Sequence, residues 1–105
     1  MTKKPETSFK EKVLDSIRKL PYSYATKIDQ MSLIGTPDIF ACINSWFVAI
    51  ELKMDGNVPT PRQKYELDGI KNARGRAFVA TPKNWALVHA KLKILSLTTP
   101  MEHIR

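Results

Sequence analysis

The fold is decided by the stretch DIFACINSWFVAIELK, residues 38–53, in which two apolar runs flank a short connection. Each run is rich in β-branched and aromatic side chains, and only Asn44-Ser45 separates them. Two connecting residues between such runs predict a tight β-hairpin, and Asn tolerates the positive φ that its turn requires. In this register Ile43 faces Trp46.

The same register places two carboxylates side by side. Asp38 faces Glu51 across the hairpin, and directly opposed residues have Cβ atoms about 4.5–5.5 Å apart. Lys53 lies two residues after Glu51 and therefore points to the same face. Opposed like charges destabilise a hairpin, whereas a hard divalent cation such as Mg²⁺ or Mn²⁺ between them reverses that effect. The alternative is an ordinary surface salt bridge between one carboxylate and Lys53.

Composition indicates a single globular domain with a partner of opposite charge. The chain has 105 residues, of which 43% are hydrophobic and 26% charged, enough for one modest core. Its formal net charge of +7 favours a polyanionic partner, most commonly a nucleic acid. The alternative is a basic protein that is merely soluble. A membrane partner is disfavoured, because no segment forms a basic amphipathic helix with a wide apolar face.

Cysteine usage and the ends of the chain favour a cytoplasmic protein. Cys42 is the sole cysteine, so an intrachain disulfide is excluded, and its mid-strand position predicts a buried thiol. The N-terminal segment lacks the apolar region of a signal peptide. No apolar run is long enough to span a bilayer. We therefore expect a reducing, cytoplasmic setting.

Helices flank the predicted hairpin. A helix over about residues 6–20 precedes a strand over 22–28, and a capped helix over about 60–73 is followed by a strand over 77–80. A last helix opens at Pro82, and residues 98–105 form a tail. Gly75 fits the C-terminal position of the helix over about 60–73. The apolar positions of the first and last helices are Phe9, Val13, Ile17 and Leu20, and Trp85, Val88, Leu92 and Leu95. The order αβββαβα predicts an α/β sandwich around a small mixed sheet.

The segment Gly35-Thr36-Pro37-Asp38-Ile39, followed by Glu51-Leu52-Lys53, resembles the signature of PD-(D/E)xK nucleases. Thr60-Pro61-Arg62-Gln63 after the second strand resembles the virus-type replication-repair nuclease (VRR-NUC) branch. Pro5-Glu6, followed by Phe9, occupies the place of that branch's helix-borne acidic residue. The likeness covers roughly residues 5–90. It implies a restriction-endonuclease-like αβββαβ core with a C-terminal helix, in one domain over 1–105 whose core is about 5–97.

One departure from the family pattern is the turn. Relatives often carry Asn-Gly, whereas this chain has Asn44-Ser45, and Ser is the poorer residue in a type I′ turn. A longer turn would shift the register of Asp38 against Glu51.

The resemblance assigns roles to the site residues. Asp38 and Glu51 would hold one or two Mg²⁺ or Mn²⁺ ions, with the backbone carbonyl of Leu52 as a further ligand. Lys53 would position or activate the attacking water. Glu6 is a further candidate metal or water ligand, against a simple role at the helix N-terminus, and Glu11 is the weaker rival because it lies off the buried stripe.

Gln63 has two competing interpretations. It lies four residues before Leu67 and seven before Ile70, so it shares their inward helical face. There it would orient Lys53, the water or a phosphate. The alternative is a capping box in which Gln63 bonds the backbone of Thr60.

The implied function is a metal-dependent DNA endonuclease. Stand-alone relatives tend to be homodimers that act on branched DNA such as Holliday junctions, and many are phage-encoded. We therefore expect a structure-selective homodimer, with a replication or repair helicase as a further candidate partner. The alternatives are a nicking or restriction-like nuclease without junction preference, or a non-catalytic DNA-binding module. Candidate phosphate contacts are Lys27, Arg62, Lys64, Arg74 and Arg76.

Overall fold

A computed structural model describes residues 3–29 and 34–98. Its elements are α1 (Pro5–Arg18), β1 (Ser23–Lys27), β2 (Ile39–Ile43), β3 (Trp46–Leu52), α2 (Pro61–Asn72), β4 (Arg76–Ala80) and α3 (Trp85–Leu97). The predicted element order is confirmed. The predicted tail after residue 98 lies outside the described residues. No helix in the described part of the chain is both long and apolar enough to cross a membrane.

The four strands form one mixed sheet in the order β1-β2-β3-β4. The first three strands pair antiparallel, whereas β3 and β4 pair in parallel. A parallel pair needs a long crossover, and α2 provides it. This topology confirms the predicted small mixed sheet with helices against it.

The predicted hairpin register is confirmed. Ile39 pairs with Ile50 and Ile43 pairs with Trp46. The turn contains two residues, because Asn44 and Ser45 both have positive φ, of 52° and 77°. Ser45 therefore occupies a left-handed conformation that glycine adopts at lower cost.

The main core lies between the sheet and the pair α1 and α3. Alternate residues of β2 and β3, including Ile39, Val48 and Ile50, are fully buried on this face. The predicted apolar stripes of both helices are buried against them. On the opposite face of the sheet, α2 packs against β3 and β4.

Cys42 is exposed, so the predicted burial of its thiol is wrong. Its neighbours across the strands are Tyr24 and Phe47, and the side chains of both are exposed as well. These residues lie on the same face of the sheet as α2, but α2 packs against β3 and β4. Among the described helices, α2 therefore leaves Cys42 and Tyr24, on the half of this face formed by β1 and β2, exposed to solvent.

The end of α2 differs from the prediction in one residue. The left-handed residue after the helix is Arg74, with a φ of 76°, rather than Gly75. The amide of Gly75 donates to the carbonyl of Ile70, and that of Arg74 donates to Lys71, as in a Schellman motif. Gly75 is needed for space, because a Cβ there would lie 2.8 Å from Cγ2 of Ile70.

The last helix begins at Trp85, three residues after the predicted start at Pro82. Residues 81–84 form a turn in which the amide of Thr81 donates to Oδ1 of Asn84 at 2.7 Å. The amide of Asn84 in turn donates to Oγ1 of Thr81. This reciprocal pair satisfies backbone and side-chain groups outside the helix, which explains the later start.

Candidate metal and catalytic site

The site lies at the end of the hairpin away from its turn, which we call the open end. Asp38 precedes the first residue of β2, and Glu51 is the second-last residue of β3. The amide of Ile28 donates to the carbonyl of Asp38 at 2.8 Å, so pairing between β1 and β2 continues one residue past Lys27. The backbone carrying Asp38 is therefore held from the β1 side.

Gly35 and Pro37 shape the backbone that leads into Asp38. Gly35 has a φ of 89°, and a Cβ there would lie 2.9 Å from the carbonyl oxygen of Arg62. Glycine is thus required both by the backbone conformation and by the close approach of α2. Pro37 is fully buried. Together these residues seat the loop against the N-terminal turn of α2.

Asp38 is held by a backbone donor. Its Oδ2 accepts a hydrogen bond from the amide of Leu52 at 2.8 Å. This bond crosses the hairpin next to Glu51 and sets the orientation of the Asp38 carboxylate. It also ties Leu52, whose carbonyl is the predicted backbone ligand, directly to the carboxylate pair.

Glu51 is a buried carboxylate with an incomplete set of partners. The residue is only 3% exposed, and its Oε1 has no hydrogen-bond partner among the described residues. Burial, and then the charge and contact of Asp38, raise the pKa of Glu51 from 4.5 to about 8, while the charge of Lys53 opposes this shift. Without a cation, Glu51 is therefore mostly protonated at neutral pH.

Lys53 lies beside this carboxylate. Its Nζ is 3.9 Å from Oε2 of Glu51, and the two side chains are 18% and 4% exposed. The predicted alternative of an ordinary surface salt bridge does not describe this contact, because both groups are largely withdrawn from solvent. The amide of Lys53 donates to the carbonyl of Ala80, which fixes its backbone on the edge shared with β4.

Gln63 takes part in the capping box. Its Oε1 accepts the amide of Thr60 at 2.9 Å, and the Thr60 hydroxyl accepts the amide of Gln63. This is the structural alternative weighed above. The box uses only the amide oxygen of the Gln63 side chain, so any contact with substrate would fall to its NH₂ group. A role in the chemistry stays a prediction.

Glu6 is exposed on the first turn of α1. It lines a groove with Lys10, Arg18 and Lys27, on the α1 side of the sheet. Among residues 3–29 and 34–98, no three side chains of His, Cys, Asp or Glu are grouped so that they could hold a metal ion. The structure therefore does not bring Glu6 together with Asp38 and Glu51. Its rival Glu11 forms an ion pair with Lys3 at 2.6 Å.

The five predicted phosphate contacts divide between the two ends of the sheet. Lys27 lies at the open end, but strand alternation directs it to the α1 face, where Asp29 is 3.8 Å away. Arg62 and Lys64 lie on the first turn of α2, also at the open end. Arg74 and Arg76 lie at the opposite end, beside the hairpin turn.

Arg62 already has several protein partners. Its guanidinium contacts Glu66 at 3.1 Å, lies 4.9 Å from the ring centroid of Tyr65, and donates to the carbonyl of Ile34. These contacts attach the loop before Asp38 to α2. The sequence pattern placed Arg62 near the site but contained no signal for this structural role.

The donor set suits a hard cation. Two oxygen-bearing side chains meet at the open end, and one buried oxygen of Glu51 has no partner in the described structure. Carboxylate and carbonyl oxygens are the ligands that Mg²⁺ and Mn²⁺ prefer. A cation there would also remove the repulsion that raises the pKa of Glu51. Asp38, Glu51 and the Leu52 carbonyl therefore fit the predicted metal site.

Comparison with known proteins identifies the fold. No protein-family model matches the chain, and no curated protein sequence matches it. A solved structure described as a "VRR_NUC domain protein" superposes with a TM-score of 0.63, at 20% sequence identity, over 90% of this chain and 91% of that one. The similarity extends over nearly the whole length of both chains. The chain therefore has the fold of a VRR-NUC domain.

Proposed function

We propose that this protein is a metal-dependent DNA endonuclease of the VRR-NUC type. The observation that carries the proposal is the buried Glu51 carboxylate, which faces Asp38, lies beside Lys53 and has one oxygen without a partner among residues 3–29 and 34–98. Such an arrangement destabilises the metal-free protein and is explained by a bound cation. The fold shared with a VRR_NUC domain protein supports the same function.

Each residue has a distinct part in the proposed reaction. Asp38 and Glu51 bind the cation, and the Leu52 amide keeps Asp38 in place. Lys53 offsets the charge of the scissile phosphate and orients the attacking water, because its ammonium group lies next to Glu51 on the same face. When bound, the cation would lower the pKa of the attacking water and neutralise charge on the phosphate.

The open half of the sheet supports access of a large substrate. On the face that carries Asp38, the half formed by β1 and β2 also carries the exposed Cys42 and Tyr24, and α2 packs against the other half, on β3 and β4. A nucleic acid can therefore approach the carboxylates across β1 and β2. The net charge of +7 favours that approach at low ionic strength.

A homodimer that acts on branched DNA is the form we propose. A two-fold axis places two active sites on paired strands. The outer face of α3 supports such a contact, because Leu87, Ile94 and Leu97 share one side of the helix and are 60%, 63% and 74% exposed. Exposed apolar side chains on one side of a helix are a common feature of protein interfaces.

The test is cleavage of a labelled four-way junction and a matched linear duplex in Mg²⁺, Mn²⁺ or EDTA. The wild type is compared with Glu51→Gln, and Asp15→Asn serves as the matched control because it neutralises an exposed carboxylate on α1. We expect metal-dependent cuts, symmetric about the junction, from the wild type and the control. Glu51→Gln should lose about 1,000-fold or more in rate, equivalent to about 4 kcal/mol.

The other outcomes are informative. Equal cutting of both substrates would support the nuclease activity but contradict the junction preference. Tight DNA binding without cutting in any metal would contradict the nuclease activity and support a non-catalytic DNA-binding module. Cleavage that persists in Glu51→Gln would contradict the assigned site.

A further inference from the structure

A second charged region lies at the end of the hairpin that carries Asn44-Ser45, which we call the turn end. Two adjoining grooves there, of about 810 and 450 Å³, share Lys71, Gly75 and Arg76 as lining residues. They are formed where β3 begins, where α2 ends and along the start of β4. We call the two together the basic groove.

The lining of the basic groove has one sign of charge. Four cationic side chains contribute, from α2, the following loop, β4 and α3: Lys71, Arg74, Arg76 and Lys91. All four are exposed. No Asp or Glu is among the described residues that line either groove. Clustered cations without acidic partners repel one another and are typical of a surface that binds a polyanion.

The two arginines of the groove differ: the side chain of Arg76 packs on an aromatic ring, and Arg74 has an unusual backbone conformation. The guanidinium of Arg76 lies 4.8 Å from the ring centroid of Trp46, an arrangement that leaves its N–H groups available at the ring edge. Arg74 adopts a φ of 76°, a conformation that glycine adopts more readily. Helix termination alone would favour glycine at position 74, so it does not explain the arginine found there.

The basic groove is separate from the catalytic site. The open end and the turn end are joined by α2, whose 12 residues span about 18 Å. Phosphates of one DNA strand follow one another at about 3.4 Å along the helix axis, so this distance corresponds to about five nucleotides. A DNA strand bound at the catalytic site therefore reaches the basic groove with nucleotides about five positions away from the bound phosphate.

We propose that the basic groove binds the phosphate backbone of the DNA substrate, about five nucleotides from the cut. The inference rests on the proposed function for the identity of the substrate. Binding at the basic groove, however, needs neither the metal nor the catalytic carboxylates. Arg74 and Arg76 supply charge-assisted hydrogen bonds to phosphate oxygens, while Lys71 and Lys91 act as point charges at the walls.

The test is the affinity of the full chain for a fluorescein-labelled linear duplex of about two helical turns. It is measured by anisotropy in EDTA between about 50 and 200 mM NaCl. The variant combines Arg74→Gly with Arg76→Gln. Glycine suits the left-handed backbone at 74, so thermal unfolding should show that the variant remains folded.

We expect the variant to bind about tenfold more weakly at low salt, and the slope of log K against log [salt] to fall by about two units, since each phosphate contact contributes about 0.9. The matched control combines Lys12→Gln with Lys19→Gln, which removes the same charge from exposed positions that do not line the groove. Its salt slope should match that of the wild type.

Equal losses in both variants would reduce the effect to net charge and overturn the inference, as would wild-type affinity in the groove variant. Failure of the proposed function gives a different result. A wild type that never cuts DNA, but whose binding depends on Arg74 and Arg76, would leave the basic groove in place without the nuclease.

Discussion

The two ends of the β2–β3 hairpin have opposite effects on the stability of the fold. At the turn end, Asn44 and Ser45 close the connection in two residues, and the Asn44 side chain donates to the carbonyl of Leu95 at 3.2 Å, near the end of α3. At the open end, two carboxylates face each other, and one buried oxygen of Glu51 has no partner in the described structure. The turn end stabilises the fold, whereas the open end reduces its stability in favour of a charged ligand.

The two ends differ in stability although the same strand pairing produces both. The same register produces both ends, so the repulsion of Asp38 and Glu51 is a direct consequence of the pairing that the turn specifies. A sheet that needed only stability would place an apolar pair there, as it does at Ile39 and Ile50.

The largest expected effect is a fall in stability of the metal-free protein as pH rises. The pKa of Glu51 is raised from 4.5 to about 8, so the folded state holds a proton that the unfolded state releases. The contribution of Glu51 to the free energy of unfolding, on the order of a few kcal/mol, should therefore be fully present below about pH 4.5 and be lost as pH rises through about 8.

Chemical denaturation in EDTA across this range measures the effect. Glu51→Gln should flatten the dependence in this window and be more stable than the wild type at pH 8, because the amide carries no charge to bury. A wild-type stability that increases from pH 5 to pH 8 would show that Glu51 is stabilised as the anion by another partner.

The second prediction concerns Lys53→Ala. We expect the cleavage rate to fall by about 100-fold while DNA affinity changes little, because the ammonium group acts at the reacting phosphate rather than as a general contact. Single-turnover rates and anisotropy separate the two quantities. Lys19→Ala, which removes the same charge from an exposed position, should leave the rate near that of the wild type.

The third prediction concerns the turn end. Asn44→Ala should reduce the free energy of unfolding by about 2 kcal/mol, since alanine tolerates a φ of 52° poorly and the bond to Leu95 is lost. Urea denaturation measures this change. Metal-dependent activity per folded molecule should be unchanged, because Asn44 lies at the turn end, away from the catalytic site. A loss of activity would show that the turn end affects the catalytic site.

The smallest effect is expected from Ser45→Gly. Glycine adopts a φ of 77° without the cost that a Cβ imposes, so stability should increase by about 0.5–1 kcal/mol. The same denaturation experiment applies. A decrease would show that contacts of the Ser45 side chain outweigh the backbone term.

Much of this arrangement could be predicted from the sequence because it depends on neighbours along the chain. The hairpin register, the capping box at Thr60 and the buried stripe of α1 all follow from short-range patterns. These patterns are also sufficient to oppose Asp38 and Glu51.

What could not be predicted depends on packing between distant elements. Cys42 is exposed because α2 does not extend over β2. Strand alternation predicts the face on which Cys42 lies but not how much of that face a helix covers. Likewise, the left-handed residue after α2 is Arg74, whereas Gly75 is the position at which a Cβ would lie 2.8 Å from Cγ2 of Ile70. The grouping of Lys71 with Lys91 requires α2 and α3 to meet around β4. No pattern within either helix indicates that meeting.

The most direct test of the central claim is calorimetric titration of the metal-free protein with Mn²⁺ at pH 7, in buffers of different ionisation enthalpy. Because burial and Asp38 raise the pKa of Glu51 to about 8, the metal-free site is mostly protonated at pH 7, and we predict that binding of Mn²⁺ releases this proton. Glu51→Gln should lose both the binding and the proton release. Absence of Mn²⁺ binding to the wild type, or equal binding by the variant, would contradict a cation site between Asp38 and Glu51.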